Sequence, residues 1–146
     1  MQFMARSKYK PDWELKVKRS KSGLGLFTCE EIPRDKVVAE YFGEIISSDE
    51  ADRRGGKYLF EISSRRTIDG SARINKARYI NHSCRPNCET DVISGKVFIF
   101  AKRKIREGEE LTYDYGKEYW KEYIGPKLCR CDKCNEKKSD SKNNRS

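Results

Sequence analysis

Residues 78–88, R-Y-I-N-H-S-C-R-P-N-C, bring together the most reactive side-chain types of this 146-residue chain. They hold the only histidine, His82, and two of the six cysteines, Cys84 and Cys88. Imidazole and thiolate groups bind metals, imidazole also transfers protons, and Asn and Ser side chains exchange hydrogen bonds. The apolar lead-in that ends at Ile80 predicts a strand running into these residues, and strand ends commonly carry sites. A plain turn is the alternative, because Asn, Ser and Pro are ordinary turn residues.

Two other stretches complete a pattern with the first. Residues 22–27 read S-G-L-G-L-F, and residues 110–116 read E-L-T-Y-D-Y-G. Glycines without a Cβ let the backbone approach a ligand, although a lone G-x-G is more often a turn. The third glycine and the following helix of a dinucleotide-binding fingerprint are missing. Together and in this order, the three stretches resemble the SET-domain protein lysine methyltransferases.

A cysteine triplet near the end of the chain extends the resemblance to about residues 13–135. C-R-C-D-K-C at 129–134 resembles the zinc-binding post-SET tail of that family. One departure is Ile74-Asn75, where the family often has Gly-Asn before residues 78–88, which we call the histidine motif. The resemblance implies a mainly β fold (α+β by some schemes), β-clip-like, with small curved sheets around a knot-like crossing and a short zinc-bound tail. It divides the chain into a flexible arm at 1–12, a SET catalytic domain at 13–117, a post-SET zinc-binding segment at 118–135 and a disordered tail at 136–146.

The resemblance also assigns site residues by position. It implies three catalytic or channel tyrosines: Tyr115, Tyr41 and Tyr113. It implies a set of S-adenosylmethionine-binding residues: Gly23, Leu24, Gly25, Tyr58, Asn81 and His82. It implies four zinc ligands: Cys84, Cys129, Cys131 and Cys134. Cys88 competes with Cys84 for the fourth zinc position, and core packing is the alternative for each tyrosine.

Methyl transfer to lysine fits this set of residues. The nucleophile is a neutral amine, whose free pKa is about 10.4. Desolvation and the positive sulfur of the cofactor both favour the neutral form, so a narrow channel can replace a strong base. In the resemblance, the Tyr115 hydroxyl orients the amine, while Tyr41 and Tyr113 line the channel. A hydroxyl at Tyr113 can hold a water in the space that an extra methyl needs, which predicts mono- or dimethylation.

Composition limits the partners. The net charge of +9 favours an acidic or nucleic-acid partner, or simply a solvated surface, since the basic residues are scattered. The expected substrate is a basic protein presenting a lysine, with a histone as the first candidate. We see no signal peptide and no apolar run of about 20 residues, so we expect an intracellular protein without a membrane span. That means nucleus or chromatin in a eukaryote or virus, and cytoplasm or a secreted effector in a microbe.

The patterning predicts many short strands that must position these residues. We expect strands at 13–18, 24–28, 58–62, 66–69 and 111–115, a single strand at 37–46 with a bulge at Gly43, a helix from 47 to 54, and a hairpin of 88–93 with 96–102. Cys29 is expected in the core as a free thiol. The competing function is a non-catalytic, zinc-containing SET-like module that binds nucleic acid or chromatin.

Overall fold

Short strands make up most of the fold in the computed structural model, which describes residues 13–21 and 23–116. The strands described are β1 Leu15–Ser20, β2 Gly23–Thr28, β3 Val37–Tyr41, β4 Glu44–Ile46, β5 Leu59–Ser63, β6 Arg66–Asp69, β7 Asn81–His82, β8 Cys88–Ile93, β9 Lys96–Ala101 and β10 Thr112–Tyr113. An α-helix, α1 (Ser48–Arg54), and a 3₁₀ helix (Lys76–Tyr79) accompany them. The prediction of a mainly β fold built from small sheets is confirmed.

The strands form four small sheets. β1 pairs with β2, β4 and β5 flank β6, and β3 and β8 flank β9, all antiparallel. β7 and β10 form a separate two-stranded parallel sheet. The arm predicted at 1–12, the zinc-binding segment predicted at 118–135 and the tail predicted at 136–146 lie outside the described residues.

The β8–β9 hairpin follows from its turn chemistry. Ser94 and Gly95 have φ angles of 53° and 78°. Two consecutive left-handed residues form the turn whose twist matches an antiparallel pair of strands. Ile93 therefore lies opposite Lys96, and the register continues to Cys88 opposite Ala101. The predicted hairpin is confirmed, and it ends beside the histidine motif.

Helix α1 is fixed by its ends. The Ser47 hydroxyl accepts a hydrogen bond of 3.1 Å from the backbone N–H of Glu50, which caps the first turn. Acidic residues lie in the first turn and basic residues in the last, which complements the helix dipole. Gly55 ends the helix with a φ of 62°. The predicted helix is confirmed within one residue.

The single strand predicted at 37–46 is wrong. The chain forms β3, leaves it after Tyr41, and begins β4 at Glu44 in a different sheet. Gly43 lies at the change of sheet, where a Cβ would overlap the backbone carbonyl of Asp69. The Asp69 backbone lies closer to Gly43 here than any side chain would allow. Alternation of residue types could not show that, because both halves have strand-like composition.

The strand predicted to lead into the histidine motif is also wrong. Lys76–Tyr79 is a 3₁₀ helix, and the backbone N–H of Ile80 donates to the Ala77 carbonyl. Ala77 and Ile80 are three residues apart and both buried, which matches the three-residue repeat of a 3₁₀ turn. The predicted burial of Cys29 is wrong as well, because this thiol is only partly buried.

The core lies between the β3–β9–β8 sheet, β2 and the 3₁₀ helix. Its largest fully buried apolar side chains are Leu26, Ile32, Val38, Ile80, Val97, Ile99, Ile105 and Leu111. Burial of apolar area stabilises at roughly 25 cal/mol per Å². Ile80 and Leu111 each lie one residue before β7 and β10, so the core anchors the start of both strands of the parallel pair.

Candidate functional site

The parallel pairing of β7 with β10 brings two of the three motifs together. Asn81 lies opposite Thr112, and His82 lies opposite Tyr113. The pairing extends one residue further, because the backbone N–H of Ser83 donates to the Tyr113 carbonyl over 3.2 Å. The histidine motif (residues 78–88) therefore packs against the tyrosine motif (residues 110–116).

A buried asparagine fastens the tyrosine motif in place. Asn87 is 5% exposed, and its Nδ2 donates to the Glu110 carbonyl over 2.8 Å. Its Oδ1 accepts from the backbone N–H of Thr112 over 2.9 Å. A side-chain amide thus supplies the donor and acceptor that a neighbouring strand would supply. The sequence pattern assigned Asn87 no role, although it belongs to the same eleven-residue motif.

Asn81 joins the histidine motif to the glycine loop, Gly23-Leu24-Gly25. Its Nδ2 donates to the Leu24 carbonyl over 2.9 Å and to Oε2 of Glu110 over 2.8 Å, with Ser20 Oγ at 3.2 Å. These three contacts within the described residues all use Nδ2. Oδ1 is therefore oriented away from these partners, where it can accept a hydrogen bond from a ligand.

Gly25 has a structural reason to be glycine. A Cβ at this position would overlap the carboxylate of Glu110. A Cβ at Gly23 would meet no atom of the described residues within 4 Å, but the φ of 105° there favours glycine. The absence of a Cβ at Gly25 thus leaves room for the Glu110 carboxylate, whereas the sequence pattern had ascribed this glycine to ligand approach.

His82 is held as a neutral ring between two segments. Its Nδ1 accepts a hydrogen bond of 3.1 Å from the backbone N–H of Tyr115, and its Nε2 lies 3.2 Å from Sγ of Cys84. Burial lowers the pKa of His82, and the opposing effect of Asp114, 3.7 Å from Nδ1, is smaller. The imidazole therefore serves as an oriented hydrogen-bonding group.

Two predicted tyrosines lie side by side next to this ring. The Tyr113 and Tyr115 rings have centroids 4.9 Å apart, and the Tyr115 ring meets His82 edge-on at 5.4 Å. The Tyr115 hydroxyl donates to the Ile80 carbonyl. The two phenol rings thus form one continuous aromatic surface next to the histidine motif.

Tyr41 belongs to a second group of residues. Its hydroxyl donates to the Tyr58 carbonyl over 2.6 Å, and its ring lies 5.4 Å from that of Phe60. A Cβ at Gly70 would overlap the Tyr41 ring, so this glycine makes room for the phenol. Asn75, which is fully buried, donates to the Gly70 carbonyl over 3.0 Å and secures the loop.

Two positively charged side chains lie against the ring of Tyr58. The Arg78 guanidinium lies 4.3 Å from the ring centroid, and Nζ of Lys57 lies 5.2 Å from it. Burial raises the pKa of Tyr58, but the two cations outweigh it and bring the pKa below its usual value. The sequence analysis assigned no role to Arg78. Its place as the first residue of the histidine motif is the feature that could have pointed to it.

The two cysteines of the histidine motif differ in how deeply their thiols are buried. Cys88 is fully buried in β8, and burial raises the pKa of its thiol to about 12. The Cys88 side chain belongs to the hydrophobic core cluster. Cys84 is instead partly exposed beside His82 and fits a metal site. Residues 13–21 and 23–116 contain no cluster of three or more metal-binding side chains, and Cys129, Cys131 and Cys134 lie outside them.

Comparison with known families agrees with this geometry. The SET domain family matches residues 23–116, which is more than half of the chain and includes nearly all of the three motifs. This chain belongs to the SET domain family. Its described residues include no helix that is long and apolar enough to cross a membrane.

Individual relatives are named for methyl transfer to histones. The chain is 38% identical over 123 residues to the histone-lysine N-methyltransferase trr of Drosophila melanogaster, a match that covers 74% of this chain and 5% of that protein. It is 39% identical over 119 residues to histone-lysine N-methyltransferase 2D of Homo sapiens, covering 71% and 2%. It is 45% identical over 105 residues to the H3 lysine-4 specific histone-lysine N-methyltransferase of Schizosaccharomyces pombe, covering 63% and 11%. The chain therefore spans only a small part of each of these relatives.

Proposed function

We propose that this protein transfers a methyl group from S-adenosylmethionine to a lysine side chain of a histone or another basic chromatin-associated protein. The observation that carries the proposal is the parallel pair of β7 and β10. It places Asn81 and His82 beside Tyr113 and Tyr115, with the glycine loop hydrogen-bonded to Asn81. Membership of the SET domain family and the names of the relatives support the same reaction.

The cofactor would lie against the glycine loop and the histidine motif. Gly23, Leu24 and Gly25 provide backbone groups, and Asn81 offers Oδ1 to the cationic amino-acid part. His82 contributes an oriented neutral ring. Tyr58 adds a further aromatic surface. When bound, the cofactor supplies an electrophilic methyl group on a sulfonium.

The target lysine would enter along the tyrosines. Its amine must be neutral, and removal from water lowers the pKa of an ammonium group. The amine nitrogen then forms a bond to the methyl carbon as the carbon–sulfur bond breaks, and the sulfur keeps the electron pair. The proton leaves the methylated amine to water. Tyr115 orients the amine, while Tyr41 and Tyr113 restrict its rotation.

A zinc ion would fasten the following segment to this site. Cys84 is the accessible thiol of the histidine motif, and it would be joined by Cys129, Cys131 and Cys134 from the 118–135 segment. Four thiolates satisfy the tetrahedral preference of zinc. Zinc would act structurally, because four protein ligands leave no coordination position for water.

The names of the relatives support a choice of substrate and location. Their names specify histones, and one specifies lysine 4 of histone H3. We place the protein at chromatin and take histone H3 as the first substrate to test. The net charge of +9 would also favour contact with nucleic acid near such a substrate.

Incubation with methyl-labelled S-adenosylmethionine and recombinant histones tests the proposal directly. We expect label on histone, located by mass spectrometry on a lysine, with an H3 in which Lys-4 is replaced as the specificity control. Label on other lysines would keep the reaction and change the substrate. Absence of transfer to every histone and basic peptide, together with binding to nucleic acid, would favour the non-catalytic module.

A further inference from the structure

The backbone around Glu110 is fixed from two sides. Its carbonyl accepts from Nδ2 of Asn87 over 2.8 Å. On the other side, the Leu111 N–H donates to the Leu26 carbonyl over 2.8 Å, and the Thr28 N–H donates to the Glu109 carbonyl over 3.1 Å. The position of the Glu110 side chain is therefore set by both the histidine motif and β2.

From this fixed position, the Glu110 carboxylate reaches two residues of the proposed cofactor site. Its Oε2 accepts from Nδ2 of Asn81 over 2.8 Å. The same oxygen occupies the space where a Cβ of Gly25 would be. Glu110 thus holds the amide of Asn81 in one orientation and also packs on the glycine loop.

The negative charge of Glu110 forms no ion pair within the described part of the chain. Its neighbour differs, because Glu109 forms an ion pair with Arg103 at 3.1 Å. Glu110 is only partly exposed, and incomplete hydration strengthens its electrostatic effect. An unneutralised carboxylate beside a loop is suited to a cationic ligand.

We propose that Glu110 is a cofactor-positioning residue, an inference that rests on the proposed function. It fixes Asn81 so that Oδ1 faces the ligand, and it holds the glycine loop against the β7–β10 pair. Its charge complements S-adenosylmethionine, which is a net cation because of its sulfonium. The demethylated product, S-adenosylhomocysteine, has no sulfonium and gains less from that charge.

Calorimetric titration of Glu110→Gln and Glu110→Ala with both ligands tests this role. Glu110→Gln keeps the shape and can still accept a neutral hydrogen bond, so we expect the Kd for S-adenosylmethionine to rise by about tenfold, and further for Glu110→Ala. The loss should be smaller for S-adenosylhomocysteine. At saturating cofactor, kcat should change by less than about threefold, since Glu110 acts before the chemical step.

Two comparisons separate positioning from general stability. Glu109→Gln removes the adjacent carboxylate and a surface ion pair, and it should leave the Kd unchanged. Asn81→Ala combined with Glu110→Ala should lose less affinity than the two single losses added together, because part of the effect of Glu110 acts through that amide.

The outcomes that overturn the inference are distinct from failure of the proposed function. If the wild-type protein binds the cofactor and Glu110→Ala keeps its Kd within a factor of two, the inference fails alone. Equal losses for both ligands with a lowered Tm would give Glu110 a structural role only, which also overturns it. A wild-type protein that binds neither ligand would instead overturn the proposed function.

Discussion

The backbone N–H of Tyr115 donates to Nδ1 of His82 over 3.1 Å. An amide N–H can only donate, so Nδ1 is the unprotonated nitrogen and the neutral ring carries its proton on Nε2. That proton points toward Sγ of Cys84, 3.2 Å away. Tyr115 also donates its hydroxyl to the Ile80 carbonyl, so its backbone and its phenol both bind the histidine motif.

Tyr115→Phe removes the phenol oxygen and, with it, the hydrogen bond to the Ile80 carbonyl. The backbone bond to His82 is kept, so we expect the fold and the Kd for S-adenosylmethionine to remain within a factor of about three, while turnover falls by roughly 10²-fold, a loss typical of a transition-state hydrogen bond. Single-turnover kinetics measure it. Tyr79→Phe is the control, because the Tyr79 hydroxyl makes no hydrogen bond within the described residues. Turnover within a factor of two in Tyr115→Phe would leave Tyr115 a structural role.

Tyr113→Phe should change the number of methyl groups added. Tyr113 is 7% exposed and its ring lies 4.9 Å from that of Tyr115, so its hydroxyl lies in a confined space. A water held there occupies about 30 Å³, similar to the space of an added methyl. We expect mono- and dimethylation from the native protein and a shift to higher states in the variant. Mass spectrometry of a lysine peptide shows the distribution, and efficient trimethylation by both forms would contradict the assignment.

Replacing each of the two cysteines of the histidine motif should have a different effect on the zinc content. Cys84→Ser should reduce zinc from about one ion per chain to well below that and lower activity with it. Cys88→Ser should keep its zinc, because the Cys88 side chain packs in the hydrophobic core, whereas Cys84 is partly exposed beside His82. Elemental analysis of the folded fraction measures both. Loss of zinc from Cys88→Ser alone would mean that Cys88 is the ligand.

Two glycines should respond differently to alanine. At Gly43 the added Cβ meets the Asp69 backbone, which cannot yield, so we expect overpacking to cost about 1–3 kcal/mol of folding stability. At Gly70 it meets the Tyr41 ring, a side chain that would have to move and release its hydrogen bond to the Tyr58 carbonyl. Gly70→Ala should therefore lose activity by raising the KM for the peptide, with a smaller fall in Tm. Thermal melts and peptide kinetics compare the two, and a Gly70→Ala protein with normal peptide KM would exclude Tyr41 from the channel wall.

The sequence was informative where chemistry is local. The turn at Ser94-Gly95 and the cap at Ser47 depend on neighbouring residues, and both elements appear where predicted. The resemblance also placed Asn81 and Tyr113 in one site, and they lie on paired strands.

Contacts between distant segments were beyond the sequence. The break between β3 and β4 depends on the backbone of Asp69, which is far from Gly43 along the chain, and no local pattern contains that approach. Likewise, the contact of Glu110 with Asn81 crosses 29 positions of the chain. Residues such as Asn87 look like turn formers in sequence, and only the tertiary structure shows which backbone they bind.

The parallel pairing of β7 with β10 also sets an order of events in folding. Between these strands lies the whole β8–β9 hairpin, whose contacts are local, a feature that favours early formation. Bringing β10 to β7 closes a longer loop, which costs conformational entropy. The closure itself gains only the two residue pairs of the parallel sheet. On a ribosome, the hairpin can be complete while the later strand is still inside the exit tunnel. The nascent chain would then have a formed core hairpin and no cofactor pocket, so S-adenosylmethionine could stabilise only the finished fold.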